Sequence, residues 1–250
     1  MKIAPPLVFL ALTGCSAGAS PSASTGSVPG AVAVSLPVGE QQLRFTTKDG
    51  TVVDYFLVVP KDRHVGTPGK VVFAFPPGGQ DLNVTRSVVE SRWREEALAR
   101  DWVVASPAAP PTGLYYSDKP AALVSELLDA IAAQYPPEGG RFDLAGVSNG
   151  GLSAFRAAIN FPDRFRSLVV FPGYSEAGGD DPELVKLKHI GVAMFVGGDD
   201  TGWLEPSRLT ETTLKRLGYA VELHVVAGQA HIIATLTGKD LFDALERVRG

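Results

Sequence analysis

Residues 142–151 read Phe142-Asp143-Leu144-Ala145-Gly146-Val147-Ser148-Asn149-Gly150-Gly151, and this order decides the fold. Phe142–Val147 is a short, mostly apolar run suited to a buried strand, and beyond Gly150 the residues Leu152, Phe155 and Ile159 recur at helical spacing. Between them lies a G-x-S-x-G pattern. A serine held at strained dihedrals on a sharp strand-to-helix turn needs neighbours without a Cβ, so that its hydroxyl projects and the helix passes close by. The letters alone also fit a glycine-rich turn with a serine helix cap. The strand before and the helix after favour a nucleophile, Ser148.

Working outward, apolar runs at Val71–Phe75, Trp102–Ser106, Ser167–Phe171, Val192–Val196 and Val221–Val226 predict further strands. Leu43–Thr47 and Val52–Val59 flank the turn signal Lys48-Asp49-Gly50 and predict an antiparallel hairpin. Helical patterns alternate with these runs. One carries Val89, Trp93 and Ala97 on a face, and another, capped by Ser117 or Asp118, carries Leu123, Leu127 and Ile131. Further helices are expected near Pro206, as a first-turn proline, and near Thr235, with Gly218 as a C-terminal cap. Alternation of this kind implies an α/β fold: a mostly parallel twisted sheet of about eight strands with helices on both faces. Its chemistry belongs beyond the C-terminal strand ends. Residues 171–192 leave room for only a short helix, so no large lid is expected.

A serine hydroxyl is a poor nucleophile unless a base takes its proton. Of the four histidines, His64 falls in a polar loop, His189 just before a strand and His224 inside one, whereas His231 lies in a Gly-containing loop between the last strand and the last helix. An imidazole base must itself be oriented by a carboxylate, and Gly197-Gly198-Asp199-Asp200 offers two after a strand. The oxyanion formed during acyl transfer needs backbone N–H donors. Asn149, following the nucleophile, is one. The other must come from the turn after Phe75, where Pro76 and Pro77 have no N–H; of Gly78, Gly79 and Gln80, Gly79 is the expected donor.

These elements, in this order, resemble a serine α/β-hydrolase over about residues 40 to 250. Gly146 to Gly173, with Asn160-Phe161-Pro162-Asp163-Arg164-Phe165, and Val196 to Trp203 resemble the small esterases grouped with feruloyl esterases and polyhydroxybutyrate depolymerases. The resemblance implies the chain order nucleophile, acid, base. It implies His231 as the base and Asp200, three residues after Gly197, as the acid, with Asp199 as the alternative. It also implies cleavage of carboxylic esters through an acyl-enzyme. One departure stands out: many members carry a His-Gly pair after the third strand, where this chain has Pro77-Gly78. Tyr115, Tyr116 and Trp203 are expected as aromatic walls for the substrate. A peptidase or an acyltransferase would use the same three side chains, and a lipid-anchored binding protein on an inactive hydrolase fold is the alternative of another class.

Residues 1–14 place Lys2 before an apolar run too short to span a bilayer, the order of a secretory signal. Leu12-Thr13-Gly14-Cys15 resembles a bacterial lipobox, which implies lipidation at Cys15, a membrane anchor and an extracytoplasmic location. Residues 16–39 carry no charge and are rich in Ser, Ala, Gly and Pro, the composition of a flexible tether ahead of a domain spanning 40–250. With 250 residues, 45% of them hydrophobic, the chain can bury a sizeable core without disulfides, and its single Cys permits no internal bridge. A net charge of −4, with acids and bases interspersed, provides no nucleic-acid footprint. Neither metal nor cofactor is expected, since the sequence lacks H-E-x-x-H, a Walker A loop and a G-x-G-x-x-G after a strand.

Overall fold

Eight strands form one sheet in the order β1-β2-β4-β3-β5-β6-β7-β8, in a computed structural model that describes residues 39–176 and 182–250. The expected signal, Cys15 and all but the last residue of the expected tether lie outside the described residues. β1 (Glu40–Thr46), β2 (Val52–Val58) and β4 (Val103–Pro107) pair antiparallel, whereas β3 (Val71–Phe75), β4, β5 (Phe142–Gly146), β6 (Phe165–Val170), β7 (Gly191–Gly197) and β8 (Val221–Val226) pair parallel. This is the α/β-hydrolase arrangement with its antiparallel N-terminal hairpin. Every residue of β3, β4 and β5 is buried, which explains their continuous apolar runs; β8, at the sheet edge, is only partly covered.

Helices cover both faces. One layer contains α3 (Asp118–Gln134), α4 (Asn149–Asn160) and α5 (Thr201–Arg216), whose Leu127, Phe155 and Leu214 join one core cluster. The opposite layer contains α1 (Leu82–Val88), α2 (Arg94–Arg100) and α6 (Gly238–Val248), and its core holds Trp93, Trp102 and Phe242. The Phe242 ring lies 5.9 Å from Trp93 and 5.4 Å from Trp102, both edge-on. Burial of each such ring contributes on the order of 2–3 kcal/mol.

Three local expectations change. The helix carrying Val89, Trp93 and Ala97 is not uniform: Val89–Trp93 forms a π-helical turn between α1 and α2, with the Arg94 N–H bonded to the Val89 carbonyl. Pro206 lies inside α5 rather than in its first turn, because the helix already begins at Thr201 behind Asp200. The last helix starts at Gly238, not near Thr235, since Thr237 and Asp240 form a capping box there. No helix among the described residues is long and apolar enough to cross a membrane.

The chain leaves β3 to one side for β4 and returns on the other side as β5. The crevice beyond the carboxyl ends of β3 and β5 is therefore the topological switch point, where this class of sheet holds ligands.

Candidate active site

Ser148, two residues beyond β5 and just before α4, stands at φ +54°, ψ −121°, a sparsely populated conformation that the turn imposes. The helix that follows comes so near that a Cβ on Gly150 would stand 2.3 Å from the Phe75 carbonyl oxygen. Only glycine fits there. The serine hydroxyl does not cap α4; its Oγ lies 2.7 Å from His231 Nε2.

His231 reaches this point from the loop between β8 and α6. That loop is held against the acid loop: the Asp199 N–H donates to the Gln229 carbonyl at 2.9 Å, and a Cβ on Gly197 would meet the Ala230 carbonyl oxygen at 2.2 Å. His231 Nδ1 lies 2.8 Å from Asp200 Oδ2. Asp200 is 9% exposed and makes no side-chain cap to α5, so its carboxylate is directed at the imidazole. Asp199 is exposed and turned outward. His64 and His189 are exposed far from this arrangement in sequence and fold, and His224 stacks on Phe195 with centroids 4.8 Å apart.

The Asn149 N–H has no backbone acceptor among the described residues, although Ser148, Gly150 and Gly151 all donate to neighbouring carbonyls. It is free to meet an oxyanion. The turn after β3 differs from expectation. The Asn149 side-chain Nδ2 donates to the Gly78 carbonyl at 3.0 Å, and in a trans peptide the Gly79 N–H then points away from Asn149. Gly78, not Gly79, lines the cavity beside Ser148. The Gln80 N–H is already used, donating to the Pro77 carbonyl at 3.0 Å. Gly78 is thus the residue of this turn best placed to complement Asn149.

The aromatic expectations divide. Tyr115 is no substrate wall: it is 1% exposed, its ring packs 5.1 Å from Phe75 and its hydroxyl donates to the Ala108 carbonyl at 2.9 Å. Burial raises its phenol well above the ordinary range, keeping the hydroxyl a donor. Tyr116 is half-buried and lies outside the cavity lining. Trp203 does reach the site, its ring 4.9 Å from His231 and 5.0 Å from Tyr174, so it covers the imidazole rather than the cavity.

The sequence offers Gln80 only as a backbone donor, yet its side chain ties the site together. Fully buried at φ +53°, it donates from Nε2 to the Pro76 carbonyl at 3.1 Å and to Ser153 Oγ at 2.9 Å, and accepts at Oε1 from the Tyr115 N–H at 3.0 Å. Ser153 in turn donates to the Asn149 carbonyl at 2.9 Å. The Gln80 amide therefore ties the turn after β3 to the nucleophile helix, beside the bond from the Asn149 side chain to Gly78. A glutamine one residue past a glycine pair gives no sequence signal of such a role.

A cavity of about 500 Å³ opens beside these groups, lined by Pro77, Gly78, Ser148, His231 and mainly apolar side chains. Among the described residues no group of His, Cys, Asp or Glu is placed to hold a metal ion.

A hydroxyl, an imidazole and a buried carboxylate in series, with N–H groups beside the hydroxyl, can perform acyl transfer. Comparison with solved structures gives the same fold. The S-formylglutathione hydrolase from Agrobacterium tumefaciens matches at TM-score 0.65 and 17% identity, covering 86% of this chain and 98% of that one. The acetyl xylan esterase from Aspergillus awamori matches at TM-score 0.64 and 12% identity, covering 83% and 98%. A thermostable esterase matches at TM-score 0.63 and 21% identity over 76% of this chain, which spans about half, 55%, of that longer protein. No curated protein matches the sequence significantly. The Esterase family model matches residues 71–220, more than half of the 250 residues, from the strand before the glycine turn to the end of α5 and just beyond, and the chain belongs to that family.

Proposed function

We propose that the chain hydrolyses carboxylic esters through an acyl-enzyme on Ser148. The observation that carries this reading is the unbroken series from Ser148 Oγ to His231 Nε2 at 2.7 Å and from His231 Nδ1 to Asp200 Oδ2 at 2.8 Å. Family membership supports ester hydrolysis independently.

The chemistry follows from the contacts. As Ser148 Oγ attacks the ester carbonyl carbon, its proton passes to His231 Nε2, and Asp200 holds the Nδ1–H side and stabilises the imidazolium. Negative charge that develops on the carbonyl oxygen is met by the Asn149 N–H at the start of α4, and by the Gly78 N–H. The tetrahedral intermediate then collapses. The C–O bond to the alcohol breaks, His231 returns its proton to the leaving oxygen, and the acyl group stays on Ser148. Water attacks this acyl-enzyme by the same route, giving a proton to His231, which passes it to Ser148 Oγ as the acyl C–O bond breaks and the acid leaves.

The test is a panel of 4-nitrophenyl esters with fluorophosphonate labelling of wild type and Ser148→Ala. Turnover and labelling are expected in wild type and absent in Ser148→Ala. Equal labelling of both proteins would move the nucleophile elsewhere, and wild type without turnover would leave a binding protein.

We further propose that the domain works outside the cytoplasm, anchored through lipidated Cys15. Support comes from the sequence alone: the cation, apolar run and Leu12-Thr13-Gly14-Cys15, followed by an uncharged stretch to residue 39. A bacterial host should incorporate labelled palmitate into the full chain but not into Cys15→Ala; equal incorporation would overturn the anchor.

A further inference from the structure

The cavity beside Ser148 is apolar over most of its wall, formed by Val84, Val88, Val147, Phe171 and Ile233, but Arg92 also lines it. Apart from His231, Arg92 is the one ionisable side chain in that lining among the described residues. Val84, Val88 and Arg92 follow at four-residue spacing, and the π-helical turn Val89–Trp93 carries the arginine. Wide turns of this kind recur at functional sites, where they re-aim a side chain at the cost of regular helix bonding.

The guanidinium is half-buried and donates through Nη1 to the Leu236 carbonyl. That bond meets one of its five N–H groups. Among the described residues no carboxylate lies within ion-pair distance of Arg92, whereas Arg94 and Arg100 on the adjoining helix both have acidic partners. A half-buried cation without a counter-charge, set beside apolar walls, is available to meet an anionic group. The planar fork of an arginine suits a carboxylate in particular.

We propose that Arg92 is a specificity-determining residue that binds a carboxylate carried by the ester at the far end of a short apolar chain. This rests on the esterase reading above, for the same cavity contains Ser148. The class of substrate is an ester whose acyl part ends in an acid, such as a half-ester of a dicarboxylic acid. The apolar wall takes the methylene chain and Arg92 its charged end.

A different role must be separated from this one. Through Leu236 the guanidinium also braces the loop that carries His231, and a pure brace would affect every ester alike. The experiment compares kcat/KM for mono-4-nitrophenyl adipate and 4-nitrophenyl hexanoate, equal in chain length, with the full protein and with Arg92→Gln and Arg92→Lys. Wild type is expected to favour the adipate, and Arg92→Gln to lower the adipate-to-hexanoate ratio by roughly ten- to hundredfold, the range of one charge-assisted hydrogen bond. Arg92→Lys, which keeps the charge, is expected to retain part of the preference. Should wild type show no preference, or should Arg92→Gln lower both rates while holding their ratio, Arg92 is a brace and the inference is wrong. Hydrolysis of neither ester by wild type would instead overturn the esterase reading, and this inference with it.

Discussion

Replacing Gln80 by Met keeps the length of the side chain and removes its polar atoms. Three buried partners then lose their bonds: the Pro76 carbonyl, the Tyr115 N–H and the acceptor side of Ser153 Oγ. Ser153 still donates to the Asn149 carbonyl, so it is partly satisfied. The two backbone groups are left buried and unpaired, at about 1–3 kcal/mol each, so Gln80→Met should destabilise the protein by about 2–6 kcal/mol. The strain of a non-glycine residue at φ +53° is common to both proteins and cancels. For a domain of this size that loss lowers Tm by roughly 4–24 °C. The same turn presents Gly78, so kcat should fall about ten- to hundredfold with KM little changed. Urea unfolding and steady-state kinetics on one 4-nitrophenyl ester measure both effects. A variant within about 0.5 kcal/mol of wild type, with unchanged kcat, would refute the idea that the Gln80 amide holds the glycine turn against the nucleophile helix.

Asp200→Asn should lower kcat by about four orders of magnitude while Asp199→Asn stays near wild type, and the reverse ranking would move the orienting role by one residue. Tyr115→Phe should cost about 1 kcal/mol in urea unfolding through its lost bond to Ala108 and leave KM unchanged; a raised KM would return Tyr115 to the substrate wall. Burial raises the Asp143 carboxyl above the ordinary aspartate range, against the opposing pull of Ser167 and Arg249. The folded state therefore holds that proton to higher pH than the unfolded chain does. Relative to Asp143→Asn, wild type should lose stability as pH rises upward from about 4, and denaturation across pH showing a rising difference would contradict the sign.

What the sequence made legible was whatever rests on local pattern. The buried strands β3 and β5 are continuous apolar runs because both sheet faces are covered, and G-x-S-x-G announces itself because only glycine tolerates the close approach of Phe75 to Gly150. The pairing of His231 with Ser148 followed from chain order in a resembling family rather than from spacing, since 83 residues separate them. Finer features depended on contacts that no pattern encodes. Gly79 and Gly78 are indistinguishable as letters, and only the bond from the Asn149 side chain to the Gly78 carbonyl and the cavity lining tell them apart. Tyr115 looked like a loop aromatic, yet Phe75 and Ala108 draw it into the core. Nothing in Val89–Trp93 marks a π-helical turn, and nothing marked Arg92 as a wall of the cavity.

The central claim is that a single hydroxyl, activated by His231, becomes covalently acylated during turnover. Peptide mapping by mass spectrometry after brief reaction with a slowly hydrolysed 4-nitrophenyl ester tests it most directly. The account predicts one acyl adduct, on the peptide containing Ser148, absent in His231→Ala and accompanied by a stoichiometric burst of nitrophenol. Turnover without any adduct or burst under single-turnover conditions, or an adduct on another residue, would contradict it.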